Sequence, residues 1–126
     1  MNIVDSSGWL EYFADGPNVS FFSRPLQKTA DLLVPTITIY EVFKIVIRQR
    51  TESDALQSVA LMQQGSVADL TSNISILAAT LSIEHHLPMA DSIILATAQA
   101  YGATIWTQDA DFKNIDGVQY IAKRGG

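Results

Sequence analysis

The 126-residue sequence contains no cysteine, which excludes a disulfide framework, a thiolate zinc site and a cysteine nucleophile. No apolar run reaches the roughly 20 residues that a membrane-spanning helix needs, so we expect no membrane contact. A strand is expected to begin at residue 2, which leaves no room for a signal peptide, and these absences together favour the cytoplasm. Neither G-x-G-x-x-G nor G-x-x-x-x-G-K occurs, which argues against dinucleotide and P-loop chemistry.

Positive charge is also scarce. Eight Lys and Arg residues stand against 13 Asp and Glu residues, and the net charge of −5 has the wrong sign for binding nucleic acid by bulk electrostatics. No basic residue lies between Arg50 and Lys113, so any basic surface must come from the two ends of the chain. A hydrophobic content of 48% with 17% charged residues indicates a folded domain. We expect one domain over 1–126, with a flexible tail at 123–126.

Short apolar, β-branched segments alternate with helical patterns along the chain. This alternation predicts an α/β fold of three layers, in which a central, mainly parallel sheet has helices on both faces. The predicted strands cover 2–4, 32–34, 67–70, 103–107 and 118–121. The predicted helices cover 8–13, 19–30, 36–50, 54–64 (capped by Ser53), 72–85 and 89–101, with a helical turn at 109–112.

Four acidic residues follow strands or begin helices in this arrangement. Asp5 and Asp109 come just after the first and fourth strands, and Glu41 and Asp91 are expected in the first turns of two helices. In a parallel sheet the carboxyl ends of the strands and the helices that follow them share one edge. We therefore expect these four carboxylates to meet there.

Each of these acids also has a structural explanation of its own. Glu41 completes a capping-box pattern, a carboxylate at Asp91 suits a helix dipole, and Asp5, Asp109 and the weaker candidate Asp111 could be caps or turn residues. Taken together, however, four carboxylates at one edge repel one another. A divalent cation removes this conflict, and all-oxygen acidic sites suit Mg²⁺ or Mn²⁺.

These segments together resemble a known family. The residues at 5–7, Glu41, the segment 90–98 and the segment 107–112 are similar to those of the PIN domain, and more narrowly to the VapC-type ribonuclease toxins of toxin–antitoxin systems. The resemblance covers essentially the whole chain. It implies a metal-dependent endoribonuclease, usually a homodimer, that a cognate antitoxin inhibits. The family's acidic positions correspond to Asp5, Glu41, Asp91 and Asp109, and its supporting polar positions to Ser6 and Thr107.

The sequence therefore predicts Mg²⁺- or Mn²⁺-dependent hydrolysis of RNA, with the four acids as metal ligands and no side-chain nucleophile. Lys44 and Arg48 lie one and two turns after Glu41. They either contact RNA phosphates or form a solvated or ion-paired helix end. The aromatic residues of the first two helices favour core packing, and the surplus suggests a dimer face or a groove for an antitoxin helix.

Two other classes of protein remain open. In a non-catalytic binding module, the acids would be caps and the fold would only dock a protein or RNA partner. A phosphoacceptor receiver domain also has an acid after its first strand. It normally needs a lysine at a strand end as well, and the segment 106–108 has none.

Overall fold

The computed structural model describes residues 1–125. Within them, strands and α-helices alternate for most of the chain. The strands are β1 (Asn2–Val4), β2 (Leu33–Pro35), β3 (Ser66–Ala68), β4 (Thr104–Thr107) and β5 (Val118–Tyr120). The helices are α1 (Ser6–Phe13), α2 (Val19–Leu26), α3 (Thr36–Gln49), α4 (Glu52–Met62), α5 (Ser72–His85) and α6 (Met89–Tyr101), with 3₁₀ turns at Thr29–Asp31 and Ala110–Phe112.

The sheet is parallel at every strand pairing that the structure describes. β4 lies between β1 and β5, and β2 pairs with β3. A single parallel bridge between Asn2 and Leu32 joins the two groups, which gives the order β3-β2-β1-β4-β5. β1 and β4 are therefore central neighbours, and their carboxyl ends lie side by side.

Side chains alternate between the two faces of the sheet, as the pleat of a strand requires. Ile3 and Ile105 pack against α5 and α6, whereas Val4 and Val34 pack against α1 to α4. Helices thus cover both faces, and the predicted three-layer α/β fold is confirmed. No helix among residues 1–125 combines the length and apolar character needed to cross a bilayer.

Gly8 allows α1 to lie directly on the sheet. A Cβ atom at this position would come within 2.5 Å of Val4 Cγ1 and 2.6 Å of Phe22 Cε1. This close approach fixes the first turn of α1, and with it the direction in which Asp5 points at the end of β1.

The bounds of several elements differ from the predicted ones. The second helix ends at Leu26, not at residue 30, and Pro25 in its last turn lacks the N–H of a helical hydrogen bond. Thr51, and not Ser53, caps α4, and its hydroxyl accepts the N–H of Asp54 at 3.1 Å. The third strand stops at Ala68 because only three residues of it pair with β2. Of the tail predicted at 123–126, residue 126 lies outside the described residues.

Candidate metal centre

Asp5 is fixed in place by hydrogen bonds from three groups. It caps the N-terminus of α1, where its Oδ1 accepts the N–H of Gly8 at 3.0 Å and the hydroxyl of Ser7 at 2.8 Å. Its Oδ2 accepts the hydroxyl of Thr107 at 2.6 Å. Asp5 is only 2% exposed, and this burial raises the pKa of its carboxyl to about 6, although the three donors oppose the shift. Asp5 is therefore both a helix cap and part of the acidic edge. We use this name for the edge of the sheet that carries Asp5, Glu41, Asp91, Asp109 and Asp111.

Thr107 connects the ends of β1 and β4. Its buried hydroxyl donates to Asp5 and accepts the N–H of Asp109 at 2.9 Å. Asp109 in turn caps the following 3₁₀ turn, because its Oδ1 accepts the N–H of Asp111 at 2.9 Å. One hydroxyl thus sets the relative positions of the two strand-end acids.

Glu41 lies at the same edge, but it does not form the capping box that its spacing suggests. Helix α3 begins at Thr36, so Glu41 is in the second turn and not the first. The hydroxyl of Thr38 donates instead to the carbonyl of Pro35 at 2.6 Å. The carboxylate of Glu41 accepts the hydroxyl of Ser6 at 2.5 Å, which joins α3 to α1.

Asp91 lies in the first turn of α6, as predicted. Burial raises the pKa of its carboxyl to about 8, and the negative charges of Asp109, Asp5, Glu41 and Asp111 add to this shift in that order. Four other acids therefore act on one carboxylate. A cation among them would offset this repulsion. The role of a helix cap alone does not explain why so many acids lie near Asp91.

The tightest group at this edge consists of Asp91, Asp109 and Asp111, which we call the aspartate trio. One carboxylate oxygen from each of them lies within 4.8 Å of the others. The structure thus places Asp111, the weaker candidate, in this group. Asp5 and Glu41 lie outside it, although their charges act on Asp91.

A PIN domain family model matches residues 3–118 of the sequence. The chain belongs to the PIN domain family. The matched residues include every acid of the edge, so the family and the geometry concern the same part of the molecule. The resemblance to a PIN domain inferred from the sequence is confirmed.

Solved structures of toxin–antitoxin proteins share the fold of this PIN domain. A toxin–antitoxin complex from Klebsiella pneumoniae has 21% identity and a TM-score of 0.80, over 94% of this chain and 96% of that one. VapC20 of Mycobacterium tuberculosis, a sarcin–ricin loop cleaving toxin, has 16% identity and a TM-score of 0.75, over 89% and 92%.

DNA-bound VapBC from Salmonella typhimurium has 15% identity and a TM-score of 0.75, over 97% of this chain and 98% of that one. At these identities the similarity is one of fold. A search of curated proteins found no match to the sequence.

Three residues near the acids of this PIN domain were not predicted from the sequence. Ser7 donates to Asp5, and its position two residues after a capping acid was a usable local signal. The side chains of Asn18 and Gln108 are hydrogen-bonded to each other at 2.9 Å across 90 residues of sequence. No local pattern could have revealed that contact.

Lys44 and Arg48 are exposed on α3. The Nζ atom of Lys44 lies 5.6 Å from the centre of the Tyr40 ring. Within residues 1–125 the one ion pair closer than 4.0 Å joins the amino group of Met1 to Asp31, so neither cation is paired with an acid. Of the explanations open from the sequence, the ion-paired helix end is therefore not observed.

Proposed function

We propose that this PIN domain is a metal-dependent endoribonuclease that hydrolyses RNA phosphodiester bonds and acts as the toxin of a toxin–antitoxin pair. The observation that supports it most is the aspartate trio, whose member Asp91 carries a strongly raised pKa. Acids held this close are costly without a positive charge between them. A site of this kind is the usual arrangement for catalysis by a divalent cation.

The donor atoms of the trio suit a hard cation. They are all carboxylate oxygens, which Mg²⁺ and Mn²⁺ prefer. Oxygen ligands lie about 2.1 Å from Mg²⁺, so opposite ligands are roughly 4.2 Å apart. The separation of up to 4.8 Å in the trio needs only small side-chain rotations to reach one ion. We propose Asp91, Asp109 and Asp111 as ligands together with Asp5 and Glu41.

A bound cation would supply Lewis acidity, lowering the pKa of a water and offsetting charge on the scissile phosphate. The neighbouring side chains would hold the carboxylates of the site in the orientation that this chemistry needs. Thr107 and Ser7 hold Asp5 in one orientation, and Ser6 does the same for Glu41.

The hydroxyls near the acids are unsuited to act as nucleophiles. Ser6 and Ser7 both donate to carboxylates, and within the described residues neither is activated by a histidine. Attack by water therefore agrees better with the geometry than attack by a side chain.

The RNA substrate must approach an acidic edge on a protein of net charge −5. Without a cation, that edge would repel the phosphate backbone. Lys44 and Arg48 extend from the helix that carries Glu41 and have no acidic partner among residues 1–125. We propose that they contact RNA phosphates on either side of the cleaved bond.

An antitoxin is the proposed protein partner, as in the neighbouring complexes from Klebsiella pneumoniae and Salmonella typhimurium. A groove of about 460 Å³ runs between α1, the end of α3 and α4. Leu10, Phe13 and Leu61 give it apolar walls, and it is also lined by Ser7, which donates to Asp5, and by Gln108, which precedes Asp109. An antitoxin helix seated there would reach the acidic edge. A homodimer and a cytoplasmic location belong to the same proposal.

The decisive experiment is cleavage of a mixed pool of structured RNA in Mg²⁺, Mn²⁺ or EDTA, with Mn²⁺ binding measured by calorimetry. The wild type should cut only with metal, and Asp91→Asn should lose both cutting and Mn²⁺ binding. Asp69→Asn is the matched control, because Asp69 is an exposed acid just after β3 and outside the trio. It should leave both measurements unchanged.

Failure of the wild type to bind Mn²⁺ would contradict the metal centre and favour the non-catalytic binding module. Binding without cleavage of any RNA in the pool would restrict the proposal to the metal site. Equal loss in Asp69→Asn would mean that general charge, and not the trio, binds the ion.

A further inference from the structure

Two buried side-chain amides lie beside the acidic edge. Asn18, at the start of α2, is 2% exposed, and Gln108, between Thr107 and Asp109, is 6% exposed. Asn18 Nδ2 donates to Gln108 Oε1 at 2.9 Å and to the carbonyl of Ala122 at 3.1 Å. This amide pair joins the α1–α2 loop, the acidic loop and the segment after β5.

The orientation of both amides follows from their partners. Ala122 and Ser7 offer carbonyl oxygens, which only accept, so the amide nitrogens of Asn18 and Gln108 must face them. The two hydrogens of Asn18 Nδ2 are then both used, one on Ala122 and one on Gln108. Neither amide can turn over without placing two acceptors against each other.

Gln108 is linked to both strand-end acids, to Asp5 through Ser7 and to Asp109 through the peptide bond. Its main-chain N–H donates to Ser7 Oγ at 3.4 Å, and its Nε2 approaches the carbonyl of Ser7 at 3.5 Å. Ser7 is itself a donor to Asp5, and Asp109 is the next residue along the chain. A displaced Gln108 would therefore disturb Asp5 and Asp109 together.

The main chain of Asn18, which carries the side chain that contacts Gln108, is itself held in place by Glu11. Its main-chain N–H donates to the carboxylate of Glu11 at 2.7 Å. The main chain at Gly16 runs against the same carboxylate, so that a Cβ atom at this position would require the side chain of Glu11 to move. The loop is thus held against α1 from two sides.

The choice of asparagine has a cost in stability. Asn18 Oδ1 is buried and has no hydrogen-bond partner among the described residues. An unpaired buried acceptor is unfavourable, but an apolar side chain at this position would leave both Gln108 Oε1 and the carbonyl of Ala122 without their donor. The two hydrogen bonds that Asn18 Nδ2 donates oppose this cost, and they connect three segments beside the proposed active site.

We propose that Asn18 and Gln108 are positioning residues, whose amide pair holds Asp109 and Asp5 in the geometry that binds the cation. The inference rests on the proposed function, and it adds residues that take no part in the chemistry themselves. Side chains that support metal ligands in this way typically change metal affinity about 10- to 100-fold when they are removed.

The test removes each amide with a near-isosteric apolar side chain. Asn18→Leu and Gln108→Met should each weaken Mn²⁺ binding about 10-fold by calorimetry. The kcat for RNA cleavage should fall with little change in KM. Thr97→Val is the control, because it removes a buried hydroxyl that bonds only within α6.

Two further measurements separate positioning from general loss of stability. Hydrogen exchange should accelerate at the amides of Asp109 and Asp111 but not at Ile105, in the core of β4. The double variant Asn18→Gln with Gln108→Asn keeps the combined length of the pair and should recover Mn²⁺ affinity that each single change loses.

Each result has a defined meaning. Unchanged Mn²⁺ affinity and unchanged exchange at Asp109 in both apolar variants would overturn the inference, as would equal effects of Thr97→Val. If an apolar variant fails to fold, the double variant and its two parents decide the question by the same measurements. A wild type that binds no Mn²⁺ contradicts the proposed function, while the exchange data still show whether the amides position Asp109.

Discussion

The acidic edge has two parts whose carboxylates differ in the hydrogen bonds that they accept. Asp5 and Glu41, the acid pair, accept side-chain hydroxyls from Ser7, Thr107 and Ser6. The carboxylates of the aspartate trio accept no side-chain donor among residues 1–125, and the one hydrogen bond that they accept is the internal contact from the N–H of Asp111 to Asp109. The acid pair is therefore fixed by the protein, whereas the trio is left with unused acceptor oxygens.

This difference in hydrogen bonding indicates that the two parts of the edge have different roles. Hydroxyl donors stabilise a carboxylate without a cation and lower its pKa, as they do for Asp5. Asp91 has no such help, and its pKa is raised further than that of Asp5. We infer that the acid pair gives the edge its geometry and that the trio has the greater need of a positive ion.

The largest expected effect is a loss of stability in the metal-free protein as the pH rises. The pKa of Asp5 is about 6 when folded, against 3.8 for an aspartate side chain in water. The folded state thus holds the proton more tightly, and the stabilisation is present below about pH 4. Its loss by about pH 6 lowers the free energy of unfolding by about 3 kcal/mol.

The raised pKa of Asp91 extends this loss towards pH 8. Urea unfolding in EDTA at several pH values measures the whole profile. Asp91→Asn should abolish the loss of stability above about pH 6 and leave the loss assigned to Asp5. Mn²⁺ should restore stability at high pH, because it binds the folded state. A flat profile in EDTA would contradict the raised pKa values of Asp5 and Asp91, and with them the effects of burial and repulsion on these carboxyls.

A smaller effect is expected from Thr107→Val, which keeps the shape of a buried side chain and deletes its hydroxyl. Asp5 loses a donor and the N–H of Asp109 loses its acceptor. We expect a loss of about 1–2 kcal/mol in unfolding free energy and about 10-fold weaker Mn²⁺ binding.

Thr97→Val is again the matched control and should reduce stability alone. If Thr107→Val leaves Mn²⁺ affinity at the wild-type value, the acid pair has no part in shaping the trio. The division of the edge into a shaping part and a binding part would then fail.

The smallest effect concerns the cations next to the acid pair. The double variant Lys44→Ala, Arg48→Ala should weaken RNA binding and reduce the slope of log affinity against log salt by about 0.7 for each lost phosphate contact. Binding is measured in an Asp91→Asn background, so that RNA is not cut. Arg24 and Lys28, exposed near the end of α2, provide the control pair. Equal changes in both double variants would indicate bulk charge only.

Much of the fold was predictable because helical and strand patterns alternate cleanly along this chain. The strand-end rule also located Asp5 and Asp109, since both follow strands. The same rule applies to Asp69, which follows β3 and yet lies outside the trio. β3 is at the edge of the sheet, two strands from β1, and the order of strands cannot be read from local sequence.

The finer features of the site depend on contacts between distant residues. Asp111 joins the trio because a short 3₁₀ turn carries it back towards Asp91. Glu41 was misplaced by one helical turn, because Pro35 starts α3 earlier than the capping-box pattern suggested. In both cases local spacing identified the correct residue type, and tertiary packing determined what the side chain contacts.

The contacts of residues 121 and 122 have a practical consequence for purification. The N–H of Ile121 donates to the carbonyl of Thr107 at 3.1 Å, and Ala122 accepts from Asn18, so the chain leaves β5 against the acidic edge. A polyhistidine tag joined a few residues after Ala122 would be tethered near the carboxylates and would compete with them for added manganese in a binding assay. Met1 lies at the opposite end of β1, and a tag placed there keeps its imidazoles away from the acids.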